Sequence, residues 1–133
     1  MASMSPDAPT VLIIDDEEVV ARALGRVLRR QGGYTVRTAA TGEEGLAMAA
    51  EFRPEVALVD LQMPGMYGTE VVRRMREFSE HTECVVITGH GNAKDAFEVL
   101  RLGASDYFEK PIEDWARFIQ VIRQAVRIRE LKK

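Results

Sequence analysis

The sequence predicts an α/β fold of the doubly wound kind, a five-stranded parallel sheet sandwiched between helices. Three observations predict it. Five short apolar runs alternate along the chain with five segments of helical periodicity, and such alternation builds parallel strands joined by right-handed helical crossovers. The runs VLII before Asp15, VALV before Asp60 and CVVI before Thr88 are apolar at every position, which marks strands buried on both faces. A length of 133 residues suffices for one such core and leaves no room for a second folded module.

Each element follows in order. Thr10 to Ile14 is the first strand, and Glu17 to Arg30 is a helix with Val20, Leu24, Val27 and Leu28 at helical spacing, stopped by Gly32 and Gly33. Tyr34 to Thr38 alternates as a half-exposed strand. Thr41 with Glu44 three positions later forms a capping box, and Leu46, Ala49 and Ala50 supply the next helix with a core face. Val56 to Asp60 is the third strand, broken by Met63, Pro64, Gly65 and Gly68. Thr69 to Phe78 offers Val71, Val72 and Met75 for a third helix, and Cys84 to Thr88 is the fourth strand, turned by Gly89 and Gly91. Ala93 to Leu102 is a helix capped by Gly103, Asp106 to Glu109 is a short strand closed by Lys110 and Pro111, and Trp115 to Leu131 is the last helix. Residues 1–9 read as a flexible tail, 10–126 as the folded domain and 127–133 as a helix extension or the start of a linker.

Composition narrows the function classes. Eighteen basic against twenty-one acidic residues, a net charge of -3, give no global pull toward nucleic acid or anionic membrane, so function must reside in a local site. Cys84, the only cysteine, sits inside an apolar run and reads as a small buried side chain in a reducing compartment. The opening MASMSPDAPT lacks a basic start and an apolar core, and no apolar stretch reaches membrane-spanning length. These features predict a soluble, cytoplasmic chain with no membrane contact. Neither a G-x-G-x-x-G nor a P-loop follows the first strand, where acids stand instead, which argues against a nucleotide or flavin module. No residues remain after the last helix for a helix-turn-helix, so no direct nucleic-acid binding is expected of this chain.

In sheets of this class ligands gather at the carboxyl ends of the strands. Asp15 and Asp16 end the first strand, Asp60 the third, Thr88 the fourth and Lys110 the fifth. Helix capping explains any one of these acids alone, but not an acid pair, an acid, a hydroxyl and a lysine on successive strand ends. Three crowded carboxylates repel one another unless a cation lies among them, and such oxygen ligands suit Mg²⁺. A carboxylate so neutralised can attack phosphorus to give an aspartyl phosphate. Asp60 is the candidate nucleophile, on the all-apolar and therefore central strand; Lys110 and Thr88 supply an ammonium and a hydroxyl for the phosphoryl oxygens.

Four motifs, IIDDEE, VDLQMPGMYG, ITGHG and DYFEKP, in this order and spacing, resemble the receiver domain of two-component response regulators from about Thr10 to the end of the last helix. The resemblance implies a sheet of strand order 2-1-3-4-5 and a phosphorylation-dependent switch. Asp60 would accept a phosphoryl group from a sensor histidine kinase. Asp16 would bind Mg²⁺ directly, Asp15 through water, and the Gln62 carbonyl would complete the set with Asp60. It further implies a cis Lys110–Pro111 peptide, Thr88 and Tyr107 as the switch pair, and Gln62 and His90 as residues tuning phosphate lifetime. The output face would comprise the helix after Gly91, the strand bearing Tyr107 and the helix starting near Glu113, acting on an output domain or partner protein. Tyr67 stands where the family often has an acid. The alternative of an aspartate-nucleophile phosphohydrolase requires, by family pattern, a second acid two residues after the nucleophile; Gln62 is there instead, which predicts self-dephosphorylation and not a turnover enzyme.

The last helix carries two stripes. Trp115, Phe118, Ile119, Ile122 and Val126 should pack on the sheet. Val121, Ala125, Ile128 and Leu131 form a second, which predicts pairing with another chain as a homodimer or continuation into a coiled-coil linker. Arg123, Arg127, Arg129, Lys132 and Lys133 suit a helix carboxyl end.

Overall fold

The computed structural model describes residues 8–79, 81–89 and 93–131. His90, Gly91, Lys132, Lys133 and most of the amino-terminal tail lie outside the described residues. The elements run β1 (Thr10–Ile14), α1 (Glu18–Val27), a π-helical segment (Leu28–Gly32), β2 (Thr35–Ala39), α2 (Gly42–Phe52), β3 (Val56–Asp60), α3 (Gly68–Phe78), β4 (Glu83–Thr88), α4 (Ala93–Arg101), β5 (Asp106–Glu109) and α5 (Trp115–Leu131). All five strands join one sheet in the order β2-β1-β3-β4-β5, and every neighbouring pair is parallel.

Side-chain alternation along the strands sorts the core into two layers. Val11, Ile13, Val56, Leu58, Val85, Ile87 and Phe108 face α1 and α5, where Leu24, Leu28, Phe118 and Ile122 meet them. Leu12, Ile14, Ala57, Val59, Cys84 and Val86 point the other way, toward Ala49, Val71, Val72, Met75 and Val99 on α2, α3 and α4. Both faces are covered, which is why the three runs VLII, VALV and CVVI are apolar throughout. Cys84 is fully buried in the second layer, 3.9 Å from the Met75 sulfur. No helix among the described residues is long and apolar enough to cross a membrane.

Some boundaries differ from the sequence-based expectation. The first helix does not reach Arg30 in α form: from Leu28 it widens into the π-helical segment and ends at Gly33, whose φ of 70° is left-handed. Tyr34 precedes β2 and folds inward, 5% exposed. Glu83 joins β4 although it is charged; it is buried and accepts a hydrogen bond from Ser105 Oγ at 2.6 Å. Thr41 caps α2 as expected, accepting from the Glu44 N–H at 3.1 Å, but Glu44 reaches back to the Ala40 N–H at 3.4 Å. Ala50 is exposed, because the core face of α2 runs through Gly42, Gly45 and Ala49. On α5 the second stripe is smaller than expected: Ala125 is buried in the core and Val121 packs against it, leaving Leu131 exposed. The α1/α5 layer is wide enough to take both residues.

Candidate functional site

Sheet order turns the separate acids into one cluster. Since β1 and β3 are neighbours, with Ile14 beside Val59, the residues that end them arrive at the same rim. Carboxylate oxygens of Asp15, Asp16 and Asp60 all lie within 4.8 Å of one another. Asp15 and Asp60 are each 4% exposed, whereas Asp16 is exposed.

Backbone donors aim these groups. Asp60 Oδ1 accepts from the Gln62 N–H at 3.1 Å, and Asp15 Oδ1 accepts from the Glu17 N–H at 2.8 Å. The Lys110 backbone N–H donates to the Thr88 carbonyl at 2.8 Å, holding the lysine level with the end of β4. Its ammonium then reaches Asp15 Oδ2 at 3.0 Å and Asp60 Oδ2 at 3.2 Å. The Lys110–Pro111 peptide is cis. Thr88 is 1% exposed, two residues beyond Val86, which pairs with Tyr107 across β4 and β5. Thr88 and Tyr107 therefore lie on the same face of the sheet, where Tyr107 packs, partly buried, against the α2/α3/α4 core layer. The structure thus brings together Asp15, Asp16, Asp60, Lys110 and the Gln62 backbone, and places Thr88 and Tyr107 on one sheet face; His90 falls outside the described residues.

The electrostatics are lopsided. Burial, the largest influence, pushes the Asp60 carboxyl up; the Gln62 N–H and Lys110 pull it down, Asp15 pushes it up again, and it settles at about 6. Burial alone would lower the Lys110 ammonium, but hydrogen bonds and attraction from Glu17, Asp15 and Asp60 outweigh it and hold its pKa above the ordinary lysine value. One ammonium thus serves several carboxylates. The surplus negative charge and all-oxygen donor set fit a hard divalent cation such as Mg²⁺, for which Asp15, Asp16 and Asp60 offer carboxylate oxygens.

Two contributors escaped the sequence reading. Glu17 Oε1 lies 2.8 Å from the Lys110 ammonium, although Glu17 reads only as a helix start; its signal is the run of four acids in IIDDEE. Gly68 reads as a strand breaker, yet a Cβ there would fall 2.5 Å from the Asp60 carbonyl oxygen and 2.7 Å from Leu61 Cα. The amino end of α3 can pack against the end of β3 only because that side chain is missing.

Comparison with known proteins shows the family and agrees with the fold. The response regulator receiver domain family matches residues 11–123. The transcriptional regulatory protein FixJ of Rhizobium meliloti (strain 1021) is 39% identical over 87% of this chain and 56% of its own length. Sporulation initiation phosphotransferase F of Bacillus subtilis (strain 168) is 32% identical over 88% of this chain and 90% of its own. The crystal structure of a CheY-like response regulator receiver domain protein from Methanospirillum hungatei JF-1 superposes with a TM-score of 0.88 at 26% identity, covering 96% of this chain and all of that one. The chain spans about half the length of the transcriptional regulators it matches.

Proposed function

The chain belongs to the response regulator receiver domain family, which signals through phosphorylation, and from that premise we propose that Asp60 is its phosphoacceptor and a sensor histidine kinase its donor. The observation that carries the assignment is the position of Asp60: buried, 3.2 Å from the Lys110 ammonium and clustered with Asp15 and Asp16. An Asp60 oxygen forms the new bond to phosphorus while the bond from phosphorus to the donor's histidine nitrogen breaks and the imidazole takes up a proton. The carboxyl must be ionised to attack, and a pKa of about 6 leaves it mostly ionised at neutral pH.

Lys110 and Thr88 bind the phosphoryl oxygens, the lysine moving only from one set of anionic oxygens to another. Asp16, Asp60 and the Gln62 carbonyl directly, and Asp15 through water, would hold Mg²⁺, which would supply charge neutralisation. Thr88, drawn toward the phosphoryl group, vacates space on the sheet face it shares with Tyr107, and the ring moves in; these two positions make α4, β5 and α5 the output face. By resemblance to the family, Gln62 and His90, the latter outside the described residues, tune the phosphate lifetime. The receiver domain spans 10–126, and 127–133 is a helix extension or the start of a linker. An amide at Gln62 donates no acidic proton, which supports a switch in place of a turnover hydrolase.

Incubation with Mg²⁺ and a small phosphodonor tests this reading. A hydroxylamine-labile phosphoryl adduct is expected in the parent protein and absent from Asp60→Asn. An adduct that persists in that variant reassigns the nucleophile.

A further inference from the structure

The outer side of α1 and its π-helical extension carries a run of arginines. Arg22, Arg26, Arg29 and Arg30 recur three and four residues apart and by themselves line a groove of about 370 Å³. Among the described residues, Arg22 alone of the four has an acidic partner, Glu18 at 2.7 Å. Arg26, Arg29 and Arg30 have no ion pair or side-chain hydrogen bond among the described residues. On α3, by contrast, Arg73 and Arg74 each meet a glutamate at 2.5 to 2.7 Å.

Like charges at this spacing destabilise a helix. Attraction to the helix carboxyl end offsets the cost for Arg29 and Arg30, but it fades beyond the last turn and does not reach Arg22. The basic surface continues onto α5, whose Arg123 donates to the Gln31 carbonyl at 3.3 Å and lies beside the Tyr34 hydroxyl. Arg22 to Arg30 covers about 12 Å along the helix axis, and guanidinium groups are planar forks matched to phosphate oxygens. The groove is shallow, and its four exposed guanidinium groups, gathered along about 12 Å of helix, match a compact anion with several phosphate groups.

We propose that this groove binds a small anion carrying several linked phosphate groups, through Arg22, Arg26, Arg29 and Arg30. The site is formed by α1 and its π-helical extension and uses none of the phosphoacceptor residues.

Titration of inorganic tripolyphosphate into Asp60→Asn protein in Mg²⁺-free buffer, followed by amide chemical shifts and calorimetry, tests it while leaving the phosphoacceptor rim silent. Saturable one-to-one binding is expected, weakening as salt rises, with shifts confined to α1 and the adjoining part of α5. The pair Arg26→Gln and Arg30→Gln, exposed helix positions that tolerate glutamine, should lower affinity at least about tenfold. The control pair Arg73→Gln and Arg74→Gln on α3 should leave it unchanged. Absence of saturation at about 10 mM, a weak-binding limit worth little against salt competition, overturns the proposal. So does an equal loss in the α3 control, which would mark nonspecific attraction. Retention by anionic vesicles or duplex DNA without any binding of tripolyphosphate would also overturn it, by moving the surface to a macromolecular partner.

Discussion

Two ionic clusters in this protein use the same kinds of side chain to opposite effect. At the rim, burial and neighbouring charges drive the Asp60 carboxyl up to about 6. On α3, the hydrogen bonds of Arg73 and then Arg74 hold the Glu70 carboxyl down at about 2. The difference lies in stoichiometry and solvent. The α3 cluster sets two arginines against Glu70 and Glu77 on an open helix surface, at 2.5 to 2.7 Å. The rim sets one ammonium against Asp15, Asp60 and Glu17 at the end of a covered sheet. A balanced, solvated cluster contributes little to stability. An unbalanced and desolvated one holds free energy that a cation or a phosphoryl group can release.

The sharpest way to break the comparison is to remove the rim's ammonium. Lys110→Met should slow adduct formation from a small phosphodonor by at least about a hundredfold, the usual consequence of losing a charged stabiliser at a reacting oxygen. It should also lower stability at neutral pH by roughly 3 kcal/mol, since buried carboxylates lose their partner. Phosphorylation within a few-fold of the parent would refute the role given to Lys110.

Gly68→Ala breaks the rim by sterics instead of charge. The added methyl meets backbone atoms of Asp60 and Leu61, which cannot yield as a flexible side chain would. A loss of about 2 kcal/mol in a urea melt is expected, the range for overpacking, together with slower adduct formation. An unchanged melt would mean that the amino end of α3 moves aside freely.

Asp60→Asn should do the opposite for stability. The folded-state pKa of about 6 lies above the usual carboxylate value of 3.8, so the folded protein binds this proton more tightly than the unfolded chain. The cost of ionising Asp60 is absent below pH 4, grows between 4 and 6, and is complete above that window. Without Mg²⁺ at pH 7 the variant is expected to be more stable by roughly 1–3 kcal/mol, the two proteins converging as pH falls through 4. Denaturant midpoints across pH 3.5 to 7.5 check this sequence of events; a variant less stable than its parent at pH 7 would reverse the sign.

The smallest effect belongs to α3. Glu70→Gln removes the most strongly shifted surface carboxylate, yet the melting temperature should hardly move, because exposed pairs gain little over hydration. A pronounced drop would show that the α3 cluster is coupled to the core after all.

Much of this contrast was legible in the residues themselves. VALVD announces a strand covered on both faces with an acid at its end, and β3 is that strand, central and fully buried. Asp15, Asp16, Asp60, Thr88 and Lys110 could be assigned to one rim because parallel strands put all their carboxyl ends on the same side. Glu17 could not be assigned, since its partner Lys110 lies 93 residues away and only the folded chain brings them together. Gly68 was readable as a turn former but not as a contact surface, because the atoms that exclude a side chain belong to β3 and the residue after it. The outer stripe of α5 misled for a related reason: helical spacing shows which residues share a face, not how wide a face the sheet will cover.

By itself, then, the sequence determined the number and kind of elements, the burial of the central strands and the chemical inventory of the strand ends, all of which follow from local periodicity and backbone punctuation. Tertiary structure alone decided that β1 and β3 are neighbours, that one ammonium lies between several carboxylates, and that Asp60 is desolvated enough to hold its proton to about pH 6. The physical reason is range: side-chain alternation is set within a few residues, whereas electrostatic shifts depend on distances of a few ångströms between groups that only the sheet order brings together.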